Sequence, residues 1–364
     1  MNRVRIAIVG CGYVADFYLA TLPNHPFLQL TGAYDRDLRR QREFTGYHQV
    51  DGYGSLPDLL ADPAVELVVN LTNPSSHAEV TRLALLAGKH VYVEKPLAMT
   101  LPEARALVDL AAGRGLLLGS APCNLLGETA QTLWRALREG VIGTPRLAYA
   151  ELDAGPIPRL PFETWVSASG APWPYLDEFR TGCVIEHAGY YLTWLTAFFG
   201  PAVEVTAYAA AVVPNPYLEG AAPDFATACL RFGGGVVARV TSGIIAPGDH
   251  SLRIVGDEGV LTVTDCGDYE SPVTLTRAAG EAPVPLVRSR GPLHGYDDVH
   301  RMDFACGVAD LARAATGETP SHLPVEHALH VLELTLTMAE ATGGTVMRPS
   351  TTFAPFPPMP WAGE

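Results

Sequence analysis

Two hydrophobic patterns alternate along the first 120 residues of the chain. Short runs that are apolar at nearly every position are typical of parallel strands buried on both faces. Between these runs, apolar residues recur at the spacing of a helix with one buried face. The predicted strands are 4–9, 28–34, 67–71, 90–93 and 116–118, and the predicted helices are 13–22, 38–45, 56–61, 76–87 and 101–114. Alternating strands and helices predict a doubly wound parallel sheet.

The pattern changes after residue 121. A loop at 154–175, rich in proline and tryptophan, lies between predicted helices at 128–139 and 186–199. Most of the strand-like runs here are separated by turn residues alone, which predicts an antiparallel sheet and an α+β domain. These runs are 145–153, 203–213, 225–232, 236–241, 251–255 and 259–264, and closing helices are predicted at 299–316 and 325–342. We therefore predict two domains, 1–121 and 122–364.

A glycine-rich turn, GCGYVA at 10–15, joins the first predicted strand to the first helix. Gly10 permits a tight turn, and Gly12 lets the backbone approach a pyrophosphate closely. An acid, Asp35, ends the second strand 23 residues after Gly12. This order of strand, turn, helix and acid is the dinucleotide-binding fingerprint of a Rossmann domain. We expect Gly10, Gly12, Tyr13 and Val14 to contact the cofactor.

Asp35 and Arg36 bear on which dinucleotide binds. A carboxylate at position 35 accepts hydrogen bonds from both adenosine ribose hydroxyls and repels a 2′-phosphate, which favours NAD. The guanidinium of Arg36 can pair with a phosphate or stack on adenine, which leaves NADP open. We predict NAD as the cofactor, with NADP as the alternative.

Polar residues follow two further predicted strands, at the edge of the sheet where ligands bind. Thr72, Asn73, Pro74 and His77 come after the third strand, and we expect them to contact the cofactor. A helix N-cap and a surface histidine are the alternative interpretation. Glu94-Lys95-Pro96 follows the fourth strand. We expect Glu94 and Lys95 at the cofactor, with the Lys95 ammonium stabilising developing alkoxide charge on a substrate. The alternative is a surface Lys–Glu pair.

These motifs together resemble the glucose–fructose oxidoreductase/inositol dehydrogenase family (Gfo/Idh/MocA), and VGDEGVLTV at 255–263 resembles its second domain. The resemblance implies an N-terminal NAD(P)-binding domain and a C-terminal substrate-binding and oligomerisation domain with an open, mainly antiparallel sheet. It implies oxidation or reduction of a sugar, cyclitol or related polyol by a homodimer or homotetramer. Lys95 falls on the family's catalytic lysine, and Asn124 resembles a cofactor-contacting asparagine.

The family's second catalytic motif, roughly GGxxxDxGxH, corresponds to GCVIEHAGYY at 182–191, which differs at both the aspartate and the histidine positions. His187 takes the aspartate position, and Tyr191 takes the histidine position. On a helix these residues share one face. A histidine titrates near neutral pH, whereas tyrosine starts near 10, so electrostatics favours His187 as the acid/base. Position in the motif favours Tyr191, and we keep both as catalytic candidates. The alternative is a packed histidine and a core aromatic residue.

Composition excludes several other functions. The net charge of −14 argues against nucleic acid and anionic membranes as partners. The six cysteines are scattered without a CxxC pair, and we see neither a leader peptide nor a spanning segment, so we predict a cytoplasmic protein. Loop histidines and aspartates are interpreted as solvated rather than metal-binding, and we predict no metal; they are His294, Asp297, Asp298 and His300.

The prediction from sequence is thus an NAD(P)-dependent sugar or polyol dehydrogenase. One alternative of the same fold retains its NAD and cleaves a glycosidic bond through transient oxidation. A second alternative is a non-catalytic nucleotide-binding sensor. Aromatic and basic residues before the second motif either line a substrate pocket or pack the loop; they are Arg159, Trp165, Trp173, Tyr175 and Arg180.

Overall fold

The computed structural model describes residues 3–277, 281–288 and 300–362. The chain divides into two compact units. The first unit comprises Met1–Cys123, Pro161–Asp177 and Asp303–Leu329, and the second comprises Asn124–Leu160, Glu178–Met302 and His330–Glu364. The predicted boundary after residue 121 lies beside the first break, and the structure adds two later stretches of chain to the first unit.

The first unit contains a five-stranded parallel sheet, which confirms the doubly wound prediction. Its strands are β1 (Val4–Val9), β2 (Leu28–Tyr34), β3 (Leu67–Asn70), β4 (His90–Val93) and β5 (Leu118–Ser120). The helices between them are α1 (Ala15–Thr21), α2 (Leu38–His48), α3 (Leu56–Ala61), α4 (His77–Leu86) and α5 (Leu101–Gly113). The strand order β2-β1-β3-β4-β5 reverses direction at β1. In such sheets ligands bind at this reversal, beyond the carboxyl ends of the strands.

Side chains at the starts of three helices explain why the chain turns there. Asp37 accepts hydrogen bonds from the amides of Arg39 and Arg40 at the start of α2. Ser55 and Thr100 cap α3 and α5 in the same way, and each is followed by a proline in the first helical turn. Both features satisfy or remove amides that have no partner within the helix.

The second unit contains an eight-stranded sheet in the order β13-β12-β11-β10-β6-β9-β8-β7. Its strands are β6 (Pro145–Asp153), β7 (Ala202–Ala210), β8 (Phe225–Phe232), β9 (Val237–Gly243), β10 (Leu252–Gly256), β11 (Gly259–Val263), β12 (Val273–Thr276) and β13 (Val284–Pro285). The sheet is mainly antiparallel, but β6 and β9 pair in parallel. The sheet is therefore mixed, because β6 is followed by the loop and helices that return the chain in the same direction.

The remaining helices are α6 (Glu128–Arg138), α7 (Tyr175–Thr181), α8 (Gly189–Phe199), α9 (Cys306–Ala315) and α10 (Val325–Ala339), with a π-helical turn at Val184–Ala188. The prediction from sequence missed α7, β12 and β13. It also began α9 too early, and residue 299 lies outside the described residues. Asp303 is tied to Asn24 and His25 ahead of α9, which holds that stretch in another conformation. Across the described residues, no helix combines the length and apolar character needed to cross a bilayer.

Candidate active site

A cavity of about 560 Å³ opens beyond the carboxyl ends of β1, β2 and β3 in the first unit. This volume is within the range of small-molecule and cofactor sites. Six residues that the sequence predicts as cofactor contacts line it: Gly10, Gly12, Asp35, Arg36, Thr72 and Asn73. The lining also includes Arg40, Gly170, Pro172 and Asp177, which the prediction from sequence did not name as cofactor contacts.

The two glycines of the turn meet different surroundings. Gly10 has a φ of +98°, and a Cβ there would lie 2.5 Å from the carbonyl oxygen of Leu71. Only glycine fits that position, because both the backbone angle and the neighbouring strand exclude a side chain. At Gly12 a Cβ would meet no atom within 4 Å. The main chain at Gly12 therefore borders open space, as a pyrophosphate-binding turn requires.

Asp35 is fixed by two backbone amides. Its Oδ2 accepts a hydrogen bond from the Cys11 amide at 2.8 Å, and its Oδ1 accepts one from the Asp37 amide at 2.8 Å. The carboxylate therefore lies beside the phosphate turn, and each oxygen retains a lone pair for a ribose hydroxyl. Arg36 is exposed at the cavity, whereas Arg40 donates from Nε to the Cys11 carbonyl at 2.7 Å. These contacts fit a dinucleotide with its ribose at Asp35.

His77 is buried, and both of its ring nitrogens lie next to carbonyl oxygens. Nδ1 is 2.7 Å from the Pro96 oxygen, and Nε2 is 2.8 Å from the Thr72 oxygen. The imidazole therefore joins the loop after β3 to the loop after β4. We predicted a direct cofactor contact from the sequence; the structure gives His77 contacts that hold the two loops in place.

Glu94 is buried and supports the backbone of its neighbour. Its Oε1 accepts a hydrogen bond from the Tyr18 hydroxyl at 2.8 Å, and its Oε2 accepts one from the Lys95 amide at 2.9 Å. Burial raises the pKa of Tyr18, and the charge of Glu94 adds to the shift, so Tyr18 remains a hydrogen-bond donor. Lys95 is half-buried and precedes a cis peptide bond to Pro96. Glu94 thus fixes the chain that carries Lys95.

Lysine is rare in this protein. Of its 25 Lys and Arg residues, two are lysines, Lys89 and Lys95. Lys89 is buried, and its Nζ donates to the carbonyl oxygens of Asp62 at 2.7 Å and Val65 at 2.8 Å. That contact pattern suits a compact ammonium. Lys95 therefore stands out as a lysine in a chain that uses arginine for almost every other positive charge.

The second motif lies in the second unit. Gly182 has a φ of +87°, and a Cβ there would lie 2.6 Å from the Ala222 Cβ. The chain then forms the π-helical turn and continues directly into α8. Single π turns within helices often occur at functional sites. The turn carries His187, which is half-buried, and α8 carries Tyr191 one turn later.

Tyr191 is fully buried, and its hydroxyl donates to the carbonyl oxygen of His250. Burial raises the pKa of Tyr191 well above that of a free tyrosine. His250 in turn is hydrogen-bonded to Asp265, which raises the pKa of the imidazole. The Tyr191 hydroxyl is thus protonated, and its proton is used in a hydrogen bond to the backbone. This arrangement suits a residue that holds the His250 segment in place better than one that exchanges a proton with a substrate.

Asp153, at the end of β6, is a polar residue that the prediction from sequence did not single out. Burial and the charges of Glu151 and Asp249 raise the pKa of its carboxyl group. Its backbone pairs with Asp249 through two hydrogen bonds of 2.9 Å, next to His250. A terminal acid on a predicted strand was the only sequence signal for this residue.

Asn124 lies in the second unit and is completely buried. Its Nδ2 donates to the carbonyl oxygens of Tyr190 and Cys266, each at 3.3 Å. Within the described part of the chain, its Oδ1 has no hydrogen-bond partner. The amide thus ties the start of α8 to the chain after β11.

The aromatic residues of the predicted loop pack against one another. The Trp165 and Trp173 ring centroids are 5.1 Å apart, and Phe162 lies 5.1 Å from Tyr175. Arg159 and Arg180 belong to the second unit rather than to this cluster. Of the loop residues weighed as metal ligands, His294, Asp297 and Asp298 lie outside the described residues. Among the described residues, no group of three or more His, Cys, Asp or Glu side chains could hold a metal ion.

The parallel sheet, the glycine turn and the acid at the end of β2 define a dinucleotide-binding protein with a Rossmann domain. A model of the GFO/IDH/MocA oxidoreductase family, described as an NAD-binding Rossmann fold, matches residues 4–121. A model of the GFO/IDH/MocA C-terminal domain matches residues 130–262. The chain belongs to this family and is an NAD(P)-dependent oxidoreductase of CH–OH groups, which confirms the resemblance and the predicted cofactor.

Named relatives span most of the chain. Trans-1,2-dihydrobenzene-1,2-diol dehydrogenase from Oryctolagus cuniculus is 26% identical over 317 residues, which cover 86% of this chain and 91% of the relative. Aldose-aldose oxidoreductase from Caulobacter crescentus, complexed with glycerol, has a TM-score of 0.79 at 18% identity over 96% of this chain and 100% of its own. A 3-ketoreductase from Actinomadura kijaniata, in complex with TDP-benzene and NADP, has a TM-score of 0.73 at 24% identity. The match covers 93% of this chain and 98% of the ketoreductase chain.

Proposed function

We propose that this enzyme oxidises a secondary alcohol, or reduces the corresponding ketone, on a sugar, cyclitol or related polyol. The nicotinamide supplies the hydride acceptor or donor when the dinucleotide is bound. The observation that carries the proposal is the placement of Lys95 directly after β4, with its amide fixed by the buried Glu94. This position is at the same edge of the sheet as the dinucleotide cavity.

The role proposed for Lys95 follows from its charge. An ammonium that donates to the substrate oxygen stabilises the negative charge that develops there as hydride leaves or arrives. Tyr18 and Glu94 keep the backbone of Lys95 in one position. Such fixed geometry is what makes electrostatic stabilisation effective, because no reorganisation is needed during the reaction.

Proton exchange with the substrate oxygen is assigned to His187, with Tyr191 as its support. The assignment follows the family motif and the chemistry of the two side chains. Histidine titrates close to neutral pH, so it can accept and return a proton under physiological conditions. The Tyr191 hydroxyl is buried and already donates to His250, which supports an anchoring role.

The proposed substrate class is a ring that bears adjacent hydroxyl groups. The relative from Oryctolagus cuniculus is named for oxidation of a cyclic 1,2-diol, and the Actinomadura kijaniata protein is named as a ketoreductase. A cyclic diol, a cyclitol and a pyranose share vicinal secondary alcohols, so each offers a ring CH–OH group for hydride transfer. Assembly as a homodimer or homotetramer, expected from the sequence, stays a prediction.

The test is turnover of cyclic diols, cyclitols and sugars, followed by the absorbance of NADH or NADPH. Lys95→Met should lower kcat by about 10²–10³-fold, the cost of removing one donor to a developing oxyanion. NADH affinity should stay within about threefold, because the lost interaction stabilises the transition state. Arg82→Met, which removes a positive charge at an exposed position of α4, is the matched control. Wild-type kcat in Lys95→Met would reject the role of Lys95.

A second measurement uses the scarcity of lysine. Reductive methylation modifies amines, and the chain offers Lys89, Lys95 and its N-terminus. Lys89 is buried with two acceptors and should react slowly. NAD(P) together with a substrate should protect Lys95 from methylation, as read by mass spectrometry. Equal labelling with and without both ligands would contradict the proposed site.

A further inference from the structure

A segment from the middle of the chain, Pro161–Asp177, belongs to the first unit. Its centre is a hairpin. The Ser167 amide donates to the Ala171 carbonyl at 2.8 Å, and the Trp173 amide donates to the Trp165 carbonyl at 2.9 Å. The packed tryptophans at its base keep the two arms together. Residues 165–173, here called the hairpin, thus form an ordered element that projects its tip, Ser169 and Gly170.

Two charged side chains of the first unit hold the tip at Ser169. Asp16 Oδ2 accepts hydrogen bonds from the Ser169 amide at 3.1 Å and from its hydroxyl at 2.8 Å. Arg40 Nη1 donates to the Ser169 carbonyl at 2.9 Å, and Nη2 donates to its hydroxyl oxygen. Every polar atom of Ser169 is therefore bonded to a charged group. We call Ser169 with Asp16 and Arg40 the Ser169 clasp.

The clasp is built from buried, supported groups. Asp16 is 3% exposed and Ser169 is 8% exposed. Burial acts to raise the pKa of Asp16, but hydrogen bonds from Ser167, His48 and Ser169 outweigh it and hold that pKa below its usual value. Asp16 therefore stays ionised at neutral pH. Hydrogen bonds to ionised groups are about twice as strong as neutral ones.

The clasp is connected to the dinucleotide cavity on two sides. Arg40 also donates to the carbonyl of Cys11, within the phosphate turn. Gly170 and Pro172, next to Ser169 in the hairpin, line the cavity together with Gly10 and Gly12. The hairpin is consequently one wall of the cavity, and the clasp fixes that wall to the turn opposite it.

We propose that the Ser169 clasp holds the hairpin over the bound dinucleotide and limits the rate at which the cofactor leaves. Asp16, Arg40 and Ser169 are then positioning residues for cofactor binding, additional to those found from the sequence. The inference rests on the dinucleotide site of the proposed function. It implies that the rate of cofactor release after each turnover, rather than the rate of hydride transfer, responds to the clasp.

The experiment is stopped-flow release of NADH, displaced by excess NAD and followed by fluorescence. Ser169→Ala and Asp16→Asn should release NADH about ten to a hundred times faster, because each loses hydrogen bonds to a charged group. Ser169→Thr retains the hydroxyl and should release it at close to the wild-type rate. The matched control is Thr164→Ala, since the Thr164 hydroxyl of the same segment donates only to the local Pro161 carbonyl at 2.7 Å.

The outcomes separate the two proposals. Failure of the wild-type protein to bind NADH or NADPH would overturn the proposed function together with the clasp. Tight binding with wild-type release rates in both Ser169→Ala and Asp16→Asn would overturn the clasp alone. A purely structural role predicts a lower melting temperature without faster release, so melting is measured in parallel. Ser169→Ala deletes one oxygen at a hairpin tip, so the test stands even where Asp16→Asn does not fold.

Discussion

The Tyr18 hydroxyl lies 2.8 Å from Glu94 Oε1, in an environment where both residues are buried. The other oxygen of Glu94 holds the amide of Lys95. A residue of α1 therefore supports, through one carboxylate, the backbone of the proposed catalytic lysine. The same helix begins directly after the phosphate turn. One short helix therefore borders the proposed pyrophosphate site and also supports the proposed catalytic lysine.

Removing the Tyr18 hydroxyl should weaken this support. Tyr18→Phe leaves one oxygen of a buried carboxylate without its donor, which should lower the free energy of unfolding by about 1–3 kcal/mol. Because Glu94 then loses one of the contacts that hold it, the Lys95 backbone is held less firmly, and kcat should fall while the affinity for NADH stays close to wild type. Chemical denaturation and steady-state kinetics measure the two effects. Tyr208→Phe, on a ring that is 51% exposed, is the control. Equal kcat in both variants would show that Tyr18 does not support the catalytic position of Lys95.

The two glycines of the phosphate turn should respond in opposite ways to alanine. Gly10→Ala forces a φ of +98° on a residue with a Cβ and drives it against the Leu71 carbonyl. We expect a loss of about 2 kcal/mol or more in unfolding free energy. Gly12→Ala places its methyl in open space and should melt like the wild type.

The affinity for NADH should report a second effect of alanine at Gly12. The Gly12→Ala methyl occupies the path of the pyrophosphate, so the Kd for NADH should rise about tenfold or more. Isothermal titration provides this value. Unchanged NADH affinity in a fully folded Gly12→Ala protein would contradict binding of the pyrophosphate at this turn.

Asp35 should control the choice between NAD and NADP. Asp35→Asn keeps a carbonyl oxygen for the Cys11 amide but removes the charge that repels a 2′-phosphate. With Arg36 beside it, we expect the ratio of kcat/KM for NADP to that for NAD to rise about tenfold or more. Asp37→Asn removes one charge from the same loop and should change the ratio less, since Asp37 caps α2. An unaltered ratio in Asp35→Asn would contradict selection by this carboxylate.

Much of the first unit could be predicted from local pattern. Strands buried on both faces are apolar at almost every position, so β1 to β4 were located within about a residue of their ends. The turn at Gly10 and the acid at Asp35 have fixed places relative to those strands. Their residue types then specify the chemistry.

Other features depend on contacts between distant residues. The hairpin lies in a stretch that looks irregular, and its docking on Asp16 and Arg40 joins residues more than 120 positions apart. Local hydrophobic pattern carries no signal for such a contact. The parallel pairing of β6 with β9 was missed for the same reason. The two ring contacts of His77 likewise come from backbone carbonyls, which no sequence motif identifies.

The pH dependence of turnover should distinguish His187 from Tyr191. Burial raises the pKa of Tyr191, so its hydroxyl stays protonated across the working range and contributes no titration there. If His187 accepts the substrate proton, alcohol oxidation needs the neutral imidazole, so kcat/KM for oxidation should rise with pH as this one group loses its proton. Ketone reduction should show the opposite slope, because it needs the protonated imidazole.

Substituting His187 and Tyr191 in turn shows which of the two residues causes the pH dependence of turnover. His187→Gln should remove the pH-dependent limb and lower kcat by about 10²–10⁴-fold, the usual contribution of a general acid or base. Tyr191→Phe should keep the limb and lower stability by about 1–3 kcal/mol, since the His250 carbonyl loses its donor. The pH–rate profiles of the three proteins provide the measurement. If the pH dependence of kcat/KM survived in His187→Gln and disappeared in Tyr191→Phe, Tyr191 rather than His187 would be the general acid/base.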